Sequence, residues 1–252
     1  MSAPLFSIAT VCLNAEEHIA ESLDSVLAQS CSDYEFIIAD GGSSDATLEI
    51  VRSYESRFGG RLTWRSEPDT GLYDAMNHAL SRAGGEYVQF LGADDRLRAG
   101  ALDSVARALR TDARPDIVCG ATHVFGTSAE WDEPAQRKIR RGLPQRAPAR
   151  HQSVFVRTEA LKAVGGFDLK FRIASDYEAY LKLIEAGCTE VLIDETLSDF
   201  RLGGVSSTNA LATARDYRDV RIAHGASRIV EGLVMWKSAV LAMLYAAWKR
   251  PM

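Results

Sequence analysis

Apolar residues over the first 110 positions recur in two alternating rhythms. Phe6, Ile8 and Val11 fall in a β-rich stretch over Leu5–Leu13 that breaks at Asn14. Ile19, Leu23, Val26 and Leu27 then recur at helical spacing across Ala15–Ser30. The succession repeats with the apolar run Tyr34–Ala39, the loop Asp40–Asp45 and a helical period in Ala46–Phe58. Leu62–Ser66 predicts a further strand and Gly71–Ala83 a helix opening near Asp74. Tyr87–Leu91 predicts a strand ending in Gly92-Ala93-Asp94-Asp95, followed by a helix over Ala101–Leu109. Such strand–helix alternation implies an α/β protein with a mostly parallel central sheet flanked by helices on both faces.

After the strand Asp116–Cys119 the rhythm loosens. Residues 126–150 hold Pro134, Pro144 and Pro148 among Arg137, Lys138, Arg140 and Arg141, a pattern that fits a hairpin or a mobile loop. Its basic side chains read either as a solvated face or as a contact for a phosphate-bearing acceptor. Structure resumes at Gln152–Val156 and at a helix beginning near Ser175-Asp176. With no interior linker, residues 1–215 read as one domain and 216–252 as a helical extension. Arg228–Arg250 reads as one helix, but the uncharged stretch Ser238–Trp248 falls short of the roughly 20 residues a bilayer span needs. That helix could pack on its own domain, join a second copy as a homodimer, or lie on a membrane surface with Trp236, Trp248, Lys249 and Arg250 at the headgroups.

Composition narrows the function. At 252 residues, 46% hydrophobic and 25% charged, the chain is an ordinary packed protein. A net charge of −5 gives no broad attraction for nucleic acid. Its four cysteines stand singly, without zinc spacing, and the N-terminus lacks a secretion-signal pattern. A reducing cytoplasm is therefore expected, with the inner face of the membrane as its variant if the last helix is interfacial.

In open parallel sheets, ligands bind outside the carboxyl ends of strands. Carboxylates there can accept hydrogen bonds from a base or ribose, or hold a hard cation against a diphosphate. Adjacent Asp94 and Asp95 would repel each other in a dry site unless a cation neutralised them. The loops Thr10–Asn14, Ile38–Thr47 and Phe90–Asp95 follow strands in order, with Glu67–Asn77 before the third. His151-Gln152, Gly165-Gly166-Phe167-Asp168 and Ala174–Glu178 come later.

With these motifs in this order, the sequence resembles the inverting family 2 glycosyltransferases of GT-A fold, particularly bacterial members that build surface polysaccharides and glycolipids, over roughly residues 5–210. The resemblance implies a nucleotide-diphosphate sugar donor, a divalent metal (Mn²⁺ or Mg²⁺) and a saccharide or lipid-linked acceptor. It places Thr10 and Asn14 in the nucleotide loop, Asp40 at the base, and Asp45 near the nucleoside. Asp69, Asp74 and Asn77 fall near the diphosphate and sugar, Asp94 near the ribose or donor sugar. Asp95 becomes the metal ligand and Asp176 the general base. His151 and Gln152 match a pair assigned to the acceptor or diphosphate. Arg201 would add positive charge to a loop closing over the diphosphate. Where relatives carry a polar residue, Gly92 offers no side chain, so a ribose contact from that position is absent.

The residues alone keep blander readings open. Asp45 could cap the next helix, Asp176 could be a helix-start residue, and Arg201 could belong to an irregular connection. Competing functions are a sugar nucleotidyltransferase, which would need a Gly-rich basic loop absent from Thr10–Asn14, and an inactive sugar-nucleotide binding module. No G-x-G-x-x-G follows the first strand, which disfavours a Rossmann oxidoreductase. Asp40 could pair with uracil, thymine or guanine, leaving UDP, dTDP and GDP open.

Overall fold

The computed structural model describes residues 3–110, 114–126, 130–140, 143–203 and 210–233. Its first half is a strand–helix ladder: β1 (Phe6–Cys12), α1 (Ile19–Leu27), β2 (Tyr34–Asp40), α2 (Thr47–Phe58), β3 (Leu62–Ser66), α3 (Leu72–Arg82), β4 (Tyr87–Gly92), the two-residue β5 (Arg96–Leu97) and α4 (Ala101–Ala108). The second half holds β6 (Ile117–Phe125), β7 (Trp131–Glu133), the hairpin of β8 (Ile139–Arg140) with β9 (Leu143–Pro144), β10 (Val154–Arg157), α5 (Thr158–Ala163), α6 (Ser175–Glu185), β11 (Glu190–Arg201) and α7 (Ala210–Ala223).

One sheet takes the order β3-β2-β1-β4-β10-β6-β11-β5, with β7 paired to β6. Strands β3, β2, β1 and β4 are mutually parallel, as are β6 and β11. β10 runs antiparallel to both β4 and β6, so those two share one direction. The long strands thus run one way around an inverted β10, and the expected mostly parallel sheet is present with that insertion.

Alternation along β1 divides the core. Phe6 and Ile8 face a cluster containing Leu23 and Val26 of α1, Val51 and Phe58 of α2, and Leu102 and Val105 of α4. Ala9 faces the other cluster, with Met76 and Leu80 of α3, Leu161 of α5, Tyr177 and Leu181 of α6, and Val220 of α7. Helices therefore cover both faces. The expected boundary at 215/216 falls inside α7, whose Val220 is fully buried in the second cluster. Residues 228–233 are helical, and the remainder of the expected C-terminal helix lies outside the described residues. Among the described residues no helix is long and apolar enough to cross a membrane.

One strand was absent from the sequence reading. Strand β11, twelve residues long, is interrupted by register shifts between Leu192 and Ser198, and its polar residues hide any alternation. In the proline-rich segment the hairpin alternative is present: β7 extends the main sheet, and Tyr177 Oη donates to Pro144 O at 2.6 Å, tying the β8–β9 hairpin to α6.

Gly85 permits the approach of β4 to β1. A Cβ there would stand 2.5 Å from the amide nitrogen of Ser7, and backbone cannot rotate aside. Gly85→Ala should cost about 1–3 kcal/mol. A urea unfolding midpoint unchanged from the parent chain would show that the two strands can separate freely here.

Candidate active site

The parallel strands place their following loops on one rim. Register pairs Cys12 with Asp40 and Val11 with Gly92, so the ends of β2, β1 and β4 stand side by side. At about 4.8 Å per strand, Asp40 and Gly92 lie roughly 10 Å apart across β1. Because β10 is inverted, the residues that precede it share the rim with those that follow β4. Gln152, in a short 3-10 turn with His151 before β10, therefore meets Asp95. β11 also ends on this rim, at Arg201 opposite Phe125.

Asp95 is 1% exposed. Its Oδ2 accepts from Gln152 Nε2 at 2.7 Å and its Oδ1 from the Arg201 amide at 2.9 Å. Burial, then the adjacent Asp94 charge, push its carboxyl up to about 6 against these hydrogen bonds and the His151 charge. Gln152 is itself fixed by Gln89, whose Nε2 donates to Gln152 O at 2.8 Å. The side chain of Arg201 points to Glu21, with Nη2 2.8 Å from Oε2, and its Nε lies 3.3 Å from Asp94 O. Glu21 was not legible as a site residue, being one of several acidic positions on a helix surface.

Asp176 opens α6 next to this cluster. Tyr73 Oη of α3 lies 3.2 Å from its Oδ1, and His151 Nδ1 lies 3.6 Å from its Oδ2. The His151-Gln152 dipeptide thus links the two carboxylates, with Gln152 on Asp95 and His151 beside Asp176.

The other candidates divide by what their polar atoms do. Asp40, 2% exposed, accepts at Oδ2 from the amides of Gly42 and Ser43 and from Ser66 Oγ, and at Oδ1 from Ser43 Oγ and the Cys12 thiol. Burial opposes its charge, but these bonds outweigh burial and hold the carboxyl below its usual range. Asn14, in a left-handed conformation at φ 51°, accepts from Ser44 N at 2.9 Å and donates its own amide to Ser43 Oγ at 2.7 Å. Asp45 accepts from Thr47 N and Oγ1 at the start of α2 and from Glu16 N, the arrangement of a helix cap joined to a loop latch. Asp69 accepts from Gly71 N at 2.8 Å and lies over Gly41, whose missing Cβ makes the room. Asp74 accepts from Thr70 N and Oγ1, both at 2.8 Å.

Two further positions lie inside the fold. Thr10 is fully buried, two residues short of the end of β1, on the face it shares with Phe6 and Ile8, and its Oγ1 has no hydrogen-bond partner among the described residues. Asn77 gives its Nδ2 to Phe167 O and accepts Phe167 N at Oδ1, so its amide braces the Gly165–Phe167 turn.

Comparison with known proteins agrees with this geometry. Residues 7–165 match the model of Glycosyl transferase family 2. A PGL/p-HBAD biosynthesis glycosyltransferase of Mycobacterium bovis is 33% identical over 211 residues, covering 82% of this chain and 81% of that one. The chain belongs to glycosyltransferase family 2. A chondroitin synthase of Pasteurella multocida is 29% identical over 193 residues, 73% of this glycosyltransferase but only 19% of the synthase. Among solved structures, S. aureus TarS in complex with UDP-GlcNAc superposes with a TM-score of 0.67 at 21% identity, covering 87% of this chain and 64% of that one. Mannosyltransferase PcManGT of Pyrobaculum calidifontis, in complex with GDP-Man and Mn²⁺, gives 0.64 at 17% identity, covering 98% and 84%. The fold of this glycosyltransferase is the GT-A fold of these neighbours.

The rim of the glycosyltransferase suits a hard cation only with outside help. Among the described residues no three His, Cys, Asp or Glu side chains are gathered to hold a metal. Asp94 and Asp95 fold together over Gly92, where a Cβ would collide with Asp95 Oδ2. Two carboxylates with remaining positions filled by phosphate oxygens and water is a donor set that Mg²⁺ or Mn²⁺ accepts.

The raised carboxyl of Asp95 has a consequence for stability. The folded metal-free protein holds a proton there that the unfolded chain releases near the usual 3.8, so this group costs stability as pH rises from about 4 to about 6. Asp95→Asn removes the cost, and Gln152 Oε1, buried without a partner, can receive the new amide N–H. The metal-free variant should melt about 3 °C or more above the parent at pH 7. The gap should close below about pH 4. Scanning calorimetry with EDTA at both pH values checks this; a variant that melts lower at pH 7 refutes it.

Proposed function

We propose that the chain transfers a sugar from a nucleotide diphosphate to an acceptor hydroxyl with inversion, using Asp176 as general base. The observation that carries this reading is the joining of Asp95 and Asp176 through His151 and Gln152 at one rim of the sheet. The partly exposed Asp176 carboxylate accepts the proton of the acceptor hydroxyl. That oxygen forms the new bond to the anomeric carbon as the bond to the diphosphate oxygen breaks, and the nucleoside diphosphate leaves with the electron pair. One displacement inverts the anomeric centre without a glycosyl-enzyme intermediate.

Asp95 and Asp94 would hold a divalent ion, Mn²⁺ or Mg²⁺. Such an ion, when bound, offsets the negative charge that grows on the leaving diphosphate. The PcManGT complex with GDP-Man and Mn²⁺ supports both donor class and metal. Asn14, Asp40 and Asp45 lock the β1–α1 and β2–α2 loops into the wall nearest the nucleoside. Asp69 and Asp74 line the approach to the sugar, with their carboxylates already fixed by backbone amides. The mycobacterial relatives named for PGL/p-HBAD biosynthesis support a saccharide or glycolipid acceptor. Residues 216–252 would bring the enzyme to a membrane surface or to a second copy of itself.

Asp176→Asn should lower kcat by about 10²–10⁴-fold while leaving donor affinity unchanged. Wild-type turnover in that variant would eliminate Asp176 as the base. Asp95→Ala should instead abolish the gain in donor affinity that Mn²⁺ gives over EDTA, read by calorimetry with UDP, dTDP and GDP sugars. Equal donor affinity with and without Mn²⁺ in the parent chain would remove the metal from the reading.

A further inference from the structure

Asp176 does not offer two equivalent oxygens. Its Oδ1 accepts from the amide of Tyr177 at 2.8 Å and lies 3.2 Å from Tyr73 Oη, whereas Oδ2 faces the His151 ring. Tyr73 is held on three sides. Its ring stacks on Phe167 with centroids 5.6 Å apart and an interplanar angle of 27°. Its hydroxyl lies 2.8 Å from Ile173 O in the turn leading into α6, and only 6% of the residue is exposed.

We infer that Tyr73 is a positioning residue for the transfer reaction: its hydroxyl ties down Asp176 Oδ1, so that Oδ2 is the oxygen turned toward the acceptor. This inference rests on Asp176 being the base. A carboxylate on a single χ1–χ2 pivot can rotate away, and a general base must stay within about 3 Å of the proton it takes. Tyr73 comes from α3, which follows the donor-side loop Glu67–Gly71, so the same contact couples the donor half of the rim to the base. Burial, and then the Asp176 charge, hold the phenol above its usual range, so it remains a proton donor. Its single proton has two acceptors within reach, Ile173 O at 2.8 Å and Asp176 Oδ1 at 3.2 Å, and the charge of the second offsets its greater distance.

The other ionisable groups around Asp176 act differently. His151 faces Oδ2. On α7, Tyr217 stacks on Tyr177 with centroids 5.1 Å apart, and Asp216 caps α6 by accepting from the amides of Ile173 and Ala174 at 2.7 and 2.9 Å. Arg146 and Arg150, which pair with Glu133, influence Tyr217. Asp74 and His78 pair with each other further along α3. Among the described side chains, Tyr73 alone brings a hydroxyl to Oδ1.

Tyr73→Phe keeps the ring stack and removes the donor. It should lower kcat about 10-fold with donor KM unchanged. Losing a hydrogen bond to the charged form makes Asp176 hold its proton more tightly, so the acid limb of the kcat/KM profile should move up by about one pH unit. Asp216→Asn is the control for general loosening of α6: it should lower the melting temperature and leave the acid limb in place. Wild-type kcat with an unmoved limb in Tyr73→Phe would overturn the inference, as would an equal limb shift in Asp216→Asn. Asp176→Asn separates the two levels. If it turns over normally the base assignment itself falls; if it is inactive while Tyr73→Phe behaves as wild type, only the role of Tyr73 is lost.

Discussion

Asp95 is a carboxylate with 1% of its surface exposed, a second carboxylate beside it and two hydrogen-bond donors from the protein. Removing an ion from water costs several kcal/mol even after relaxation, and two donors do not restore what the solvent gave. The cheaper solution for stability would be an apolar residue. Instead the fold holds the carboxylate through Gln89, which fixes Gln152, and through the end of β11, which presents the Arg201 amide. Those two supports come from β4 and β11, which β10 and β6 separate in the sheet, so the position of Asp95 depends on the inverted β10 lying between β4 and β6.

The part of the rim formed by the loops after β1 and β2 solves a different problem. A loop that must meet a polar ligand cannot carry apolar packing, and ordering it costs backbone entropy. Here the acidic residues organise the loops. Asp40 gathers the Gly42–Ser43 amides and Ser66, Asn14 clasps Ser44, and Asp45 joins Glu16 to Thr47. The carboxylates that a nucleotide would meet are therefore already hydrogen-bonded within the protein. Preorganisation of this kind cuts the ordering cost of binding.

Much of the first half was legible in the amino-acid sequence, because each strand and helix there has its own period and neighbouring strands are also sequence neighbours. Leu62–Ser66 matches β3 at both ends. The inversion of β10 was not legible: four residues, Val154–Arg157, carry no mark of the direction in which they pair, and their partners are 35–39 and 68–70 positions away in sequence. Site chemistry was legible by residue type and order, since Asp94, Asp95, His151, Gln152 and Asp176 do converge. Orientation was not. Thr10 and Asn77 sit in motif positions, yet a strand's alternation buries one and a turn's backbone claims the other. Tyr73 lay within a conspicuous segment, but its partner is 103 residues away and only folding brings α3 to the start of α6.

The two linked carboxylates differ in a way that divides their labour. With 1% of Asp95 exposed against 21% of the Asp176 side chain, an acceptor hydroxyl can reach only the second. A closed carboxylate beside another one gains most from a small, dense charge, which no hydroxyl provides. Asp176, at the first turn of α6, has its charge favoured by the helix terminus and its Oδ2 left toward the rim. Interchanging the environments would leave a cation at a solvated, singly charged site and a base that no acceptor could approach. In the proposed mechanism, the asymmetry in burial, more than the presence of aspartates as such, is what would let one rim both hold a diphosphate and accept a proton.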